Sequence, residues 1–156
     1  MRSPGDLHPA RQPVDAPRLE RMEECPVSFF RYLYTEVGRA YHWVDRLSWS
    51  DERVRAHLGD PDVSVWLLSS RGAPAGYFEL RRHGDASIEI AYFGLLPEFV
   101  GRGWGGHLLT EAVRAAWAAL CTFSAAARSI RSLIRAAESI ASRFISLTRY
   151  HSLLGE

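Results

Sequence analysis

The chain contains no lysine: all 19 residues counted as Lys+Arg are arginine. That excludes a lysine nucleophile, a lysine Schiff base and a Walker-type phosphate lysine, and it is the choice a GC-rich bacterial coding sequence makes. Cysteine is nearly as scarce. Cys25 and Cys121 are the only two, far apart and outside any metal-ligand spacing, so neither a disulfide framework nor a metal site is expected. Charge of one sign is missing as well. The formal net charge is +1 with acids and bases interspersed, which leaves no basic footprint for nucleic acid and no polybasic patch for a membrane surface. No apolar run approaches the ~20 residues needed to cross a bilayer, and Met1 to Asp6 carry no signal-peptide core. The expectation is a cytoplasmic protein whose partner is a small molecule or a peptide.

What is present suits one compact domain. The chain has 156 residues, 47% of them hydrophobic, enough for one core and too few for two ordinary ones. Residues 1 to 17 hold Pro4, Pro9, Pro13 and Pro17 among small and charged residues, a mixture that reads as a flexible lead before a single domain over 18–156. Arg18 to Cys25 is expected to form a first strand. Pro26 and Ser28 open a helical stretch in which Phe29, Phe30, Leu33, Tyr34 and Val37 recur at helical spacing, stopping at Gly38. A second, short helix should start at Ser50, which caps Asp51-Glu52-Arg53, and end near Leu58-Gly59-Asp60-Pro61. From Val63 the period becomes two, and turns at Arg71 to Gly76 and at His83 to Ala86 divide three strands, the last running from Ser87 to Leu95. This is an antiparallel meander within an α/β (α+β) fold.

The meander leads directly into Val100-Gly101-Arg102-Gly103-Trp104-Gly105-Gly106, followed by a helix with Leu108, Leu109, Ala112, Val113 and Ala116 on one face. A glycine turn that opens a helix can aim several backbone N–H groups at one anion, so phosphate or pyrophosphate is the natural guest. Gly101, Gly103 and Gly106 also satisfy the dinucleotide pattern G-x-G-x-x-G. A dinucleotide unit, however, needs a parallel strand after the helix and an acid about 20 residues on. Here the turn follows antiparallel strands and precedes an Ala/Ser/Arg-rich stretch.

The segment from Ile88 to Leu109 resembles motif A of the GNAT N-acetyltransferase superfamily, whose Gln/Arg-x-x-Gly-x-Gly/Ala pattern falls on Val100, Gly103 and Gly105. Val100 departs from the usual Gln or Arg. The resemblance covers about Arg18 to Ala118. It implies a GNAT fold, a mixed and mostly antiparallel sheet flanked by helices, with acetyl-CoA as acyl donor. It implies cofactor contacts from Phe93, Gly94 and Leu95 at the strand end and from Val100, Gly101, Arg102, Gly103, Trp104, Gly105 and Gly106 in the turn. A primary amine of a small molecule or peptide would be the acceptor, and a homodimer is compatible with the family. Residues 119–156 read as atypical and helix-rich, with a helix expected from about Ala125 to Arg143. They lack the family's fifth-strand and Asn-containing helix signatures, and no tyrosine matches its general acid.

Glu89 alternates with Ile88 and Ile90, so its carboxylate leaves the opposite face of the strand, where it could take the acceptor's proton. A solvated surface glutamate has the same pattern. Tyr32, Tyr34 and Trp43 belong to an aromatic stretch that would suit an apolar amine pocket, or that packs a core. The alternative to an enzyme is a non-catalytic acyl-CoA-binding module.

Overall fold

The computed structural model describes residues 7–13, 17–85 and 87–123. Four strands, β1 (Arg18–Arg21), β2 (Val63–Ser70), β3 (Ala73–Arg82) and β4 (Ile88–Leu95), form one antiparallel sheet in the order β1-β2-β3-β4. Helices α1 (Val27–Gly38) and α2 (Asp51–Leu58) precede β2, and α3 (Trp104–Phe123) follows β4. The helix expected over 125–143 lies outside the described residues.

Each start and stop has a local cause. Pro26 cannot donate a hydrogen bond, but its carbonyl accepts from Phe30 N–H at 2.9 Å, so the helix begins immediately after it. The Ser50 side chain accepts from Arg53 N–H at 3.3 Å, and Asp51 and Glu52 sit against the positive end of α2. At the other end Gly59 N–H returns to Arg55 O at 2.9 Å. Both helices therefore start where the sequence signals placed them.

The turn between β2 and β3 is tighter than the expected Arg71 to Gly76. Arg71 (φ 50°) and Gly72 (φ 83°) are both left-handed, and Ser70 pairs with Ala73. Two residues in that conformation make a hairpin turn whose twist matches the strands, so Ala73 to Gly76 already belong to β3. The first strand is shorter than expected, ending at Arg21. Met22 N–H makes one further bond to Val65 O at 2.9 Å.

The sheet is buried on both faces. One face carries Phe78, Leu80, Ile90 and Leu95 onto Leu108, Ala112, Val113 and Ala116 of α3. The other carries Val65 and Tyr77 onto Phe30, Leu33 and Val37 of α1 and Val54 of α2. Residues 7–13, within the proline-rich lead, run against α3: Leu7 packs on its core, and Ala10 N–H donates to Thr110 Oγ1 at 3.0 Å. No helix among the described residues is long and apolar enough to cross a membrane.

Candidate functional site

Three features converge at the C-terminal half of β4. The first is the glycine turn. After Leu95 the chain makes a short 3-10 turn over Pro97–Phe99, with Phe99 N–H on Leu96 O at 2.9 Å, and then passes through Gly101 (φ 82°) and Gly103 (φ 76°) into α3. Both glycines occupy the left-handed region that side chains disfavour, and a Cβ built on either meets no atom within 4 Å. The turn is therefore open backbone at the N-terminus of a 20-residue helix, whose first-turn N–H groups have no partner within the helix.

Its side chains divide by role. Trp104 turns inward, 4% exposed and stacked on Phe99 at 5.3 Å, which anchors the turn to the core and leaves only its backbone to face a ligand. Arg102 is exposed and lies 5.0 Å from the Phe99 ring centroid, at the rim. Val100 is 56% exposed. Gly105 is half-buried and Gly106 exposed, the latter so close to the N-terminal segment that a Cβ would lie 3.0 Å from that of Ala10.

The second feature is a break in β4. Glu79 pairs with Tyr92 but Leu80 pairs with Ile90, so Ala91 is an extra residue on the β4 side. Such a bulge bends the strand and increases its twist. β4 is also the last strand of the sheet among the described residues, so its outer edge is not covered by a further strand there. Beyond the bulge Phe93 packs on the α3 core, Leu95 is buried, and Gly94 sits under α1, where a Cβ would lie 2.4 Å from Val37 Cγ1. Gly94 is thus glycine because helix α1 crosses it closely.

The third feature is a buried polar cluster. Glu79 is 0% exposed in the middle of β3, and Arg46 grips it with two bonds, Nη1 to Oε2 at 2.6 Å and Nη2 to Oε1 at 2.8 Å. His57 Nε2 adds a contact to Oε1 at 3.0 Å. Burial alone would push the Glu79 carboxyl up, but the hydrogen bonds and charges of His57 and Arg46 outweigh it and hold it below its ordinary value. The guanidinium is enclosed by rings, 4.1 Å from the Tyr92 centroid and 4.8 Å from that of Trp49. Next to it Asp45 accepts from Tyr34 Oη on Oδ1 at 3.0 Å and from Tyr92 Oη on Oδ2. Burial, then the bond to Asp45, pushes the Tyr92 hydroxyl well above its usual range, so it stays protonated and donates.

The residues singled out from sequence are partly brought together. Tyr34 and Trp43 join the cluster, their rings 5.6 Å apart and Trp43 4.9 Å from Tyr92. Tyr32 does not: it is 44% exposed on α1 and stacks on Phe29. Of the rest of that stretch, Trp49 lies against the Arg46 guanidinium, together with Phe30 and Tyr92. Glu89 pairs with Arg81 at the start of β4, exposed, with Oε2 3.0 Å from His83 Nε2. Arg46, Asp45, His57 and Glu79 were not foreseen. One signal was available: a glutamate within the otherwise apolar run Tyr77-Phe78-Glu79-Leu80 must find a cation, since a charge cannot be buried alone.

Cys25 is excluded as a nucleophile. Burial, with the charge of Glu79, pushes its thiol up to about 11, which leaves almost no thiolate at neutral pH. Among the described residues no group of three or more His, Cys, Asp or Glu side chains is arranged to hold a metal ion.

A family model described as the acetyltransferase (GNAT) family matches residues 23–143. The match takes in α1 to α3 and extends past Ala118, where the resemblance read from sequence ended. No curated protein matches the chain.

Proposed function

The chain belongs to the acetyltransferase (GNAT) family, and on that premise we propose that it transfers an acetyl group from acetyl-CoA to a primary amine of a small molecule or peptide. The observation that carries this reading is the open, left-handed Gly101 and Gly103 turn at the start of α3, set directly after the bulged strand β4. The turn and the first N–H groups of α3 suit a pyrophosphate, with Arg102 at the rim as a charge-assisted partner. The strand end at Phe93, Gly94 and Leu95 would run alongside the pantetheine arm. Glu89 would accept the proton of the acceptor's ammonium. The free amine nitrogen then bonds to the thioester carbonyl carbon as the C–S bond breaks, and the departing thiolate takes up a proton. Orientation of the two substrates on one rigid strand supplies much of the rate.

Two results are expected. Saturating acetyl-CoA or CoA should raise the melting temperature by about 5–10 °C, the shift for a ligand at about 100 times its Kd on a domain of this size. NAD should leave it unchanged, and stabilisation by NAD alone would overturn the reading. A turnover assay with an amine panel then separates an enzyme from a module that only binds acyl-CoA.

The second result concerns Gly103→Ala. Its φ of 76° costs any side chain about 1–2 kcal/mol of strain, and a β-branched residue more, so alanine is the cleaner probe than valine. The new methyl meets no protein atom within 4 Å and so enters ligand space instead. CoA affinity should fall at least ~10-fold by calorimetry, the loss of about one charge-assisted hydrogen bond. Unchanged affinity would place the pyrophosphate elsewhere.

A further inference from the structure

Helix α3 opens with Trp104-Gly105-Gly106, and glycine is, proline aside, the residue that costs most to hold in a helix, because it has the most backbone freedom to lose. A pyrophosphate at this end needs the same first-turn N–H groups in fixed positions. The turn that has to be most ordered is thus built from residues poorly able to order themselves. Support has to come from outside the helix.

Residues 7–13 supply it. Leu7 packs on the α3 core, and further along Ala10 N–H donates to Thr110 Oγ1 at 3.0 Å. The same hydroxyl donates to Gly106 O at 2.9 Å. Thr110, only 5% exposed, therefore joins the N-terminal segment to a first-turn carbonyl, since a hydroxyl can accept one hydrogen bond while donating another. The Ala10 side chain closes on Gly106, where a Cβ would lie 3.0 Å from its own. A Cβ leaves a helix sideways, whereas the first N–H groups point along its axis, so Ala10 braces the flank of the turn and not its end. The segment precedes the residues matched by the family model, 23–143.

We infer that residues 7–13 form a strap in which Leu7 and Ala10 are positioning residues for the acyl-CoA site, holding the Gly105-Gly106 turn in the form that binds pyrophosphate. This rests on the acyl-transfer reading above. Coupling between two equilibria is reciprocal, so bound CoA in turn holds the strap against α3.

The test takes the full chain and the variants Leu7→Ala, Thr110→Val and Thr110→Ser, titrated with CoA by calorimetry at a temperature where circular dichroism shows each of them folded. Leu7→Ala and Thr110→Val should raise the Kd for CoA roughly 3- to 10-fold, the worth of about one hydrogen bond. Thr110→Ser keeps the hydroxyl and should bind as the wild type does. In turnover with an amine, Leu7→Ala and Thr110→Val should raise KM for acetyl-CoA more than they lower kcat. A strap that served stability alone would lower the melting temperature and leave the Kd where it was. In the wild type, saturating CoA should slow tryptic cleavage after the exposed Arg11, because the strap must lift before the protease can engage it, whereas NAD should not. If CoA raises the wild-type melting temperature but either Leu7→Ala or Thr110→Val keeps the wild-type Kd, or cleavage after Arg11 is no slower, this inference is overturned and acyl transfer stands. If CoA does not stabilise the wild type, both fall. Should the variants not fold, cleavage of the wild type decides alone.

Discussion

Arg46→Ala is expected to lower the unfolding free energy by roughly 3–5 kcal/mol, as much as truncating a large core side chain. The cost comes less from the lost attraction than from what stays behind. Glu79 is 0% exposed on a central strand, and without the guanidinium its carboxylate keeps only His57 as a partner. Arg46→Met combined with Glu79→Leu removes both charges and fills similar volume, so it should recover much of the loss, as buried pairs replaced by apolar groups often do. Urea denaturation of the two variants checks this. A double variant no more stable than Arg46→Ala would mean that the pair stabilises in its own right.

The same pair gives the protein an acid-sensitive component. The folded-state pKa of Glu79 lies below its ordinary value of 4.5, so the stabilisation it contributes is complete above that value. It is lost as pH falls through the lower folded pKa. In Arg46→Ala the balance reverses, because burial now dominates and favours the neutral acid. The stability gap between wild type and variant should therefore be widest near neutral pH and narrow on acidification, beginning above 4.5 where the variant's carboxyl takes up its proton and continuing below it where the wild type's does. A gap independent of pH would show that Arg46 acts by packing against Tyr92 and Trp49 rather than by charge.

Glu89→Gln carries the largest expected effect on rate. Glutamine keeps the shape and loses the base, and removal of a positioned base typically costs 100- to 10,000-fold in turnover. The fold should be indifferent. Glu89 is exposed and its contact to His83 is a surface pair, worth at most about 1 kcal/mol in water. Acetyl-CoA should therefore stabilise the variant as it does the wild type. Higher pH should partly rescue turnover, because more of the amine then arrives already deprotonated. His83→Ala is the companion control, since it removes the partner and leaves the carboxylate. Steady-state rates across pH decide the matter, and full activity of Glu89→Gln at neutral pH would leave Glu89 a surface residue.

Legibility followed the range of the interactions. The start of helix α2 was readable to the residue and its end to within a few, because Ser50 and Gly59 each act within one turn. The meander was readable because side-chain alternation is a property of consecutive residues. Where a boundary depended on backbone conformation at a single residue, the reading slipped. Nothing in the letters Arg71-Gly72 required arginine to adopt a φ of 50°, so the hairpin was expected four residues too wide. Aromatic residues were legible as a group but not by role, since Tyr32 and Tyr34 are two positions apart on α1 and end on different faces, one exposed and one buried.

By itself, then, the sequence determined what neighbouring residues decide among themselves: the α+β order, the caps, the strand-to-glycine-to-helix run and the family it signals. The open, left-handed turn at Gly101 and Gly103 was implicit there, because glycine is the residue that adopts such conformations without strain. Only the tertiary structure decided that Ala91 is a bulge, that α1 crosses Gly94, and that Arg46, from the connection between α1 and α2, reaches Glu79 across 33 positions of chain. The reason is physical. A buried charge must be neutralised in three dimensions, and sequence shows that Glu79 needs a cation without showing which of 19 arginines supplies it.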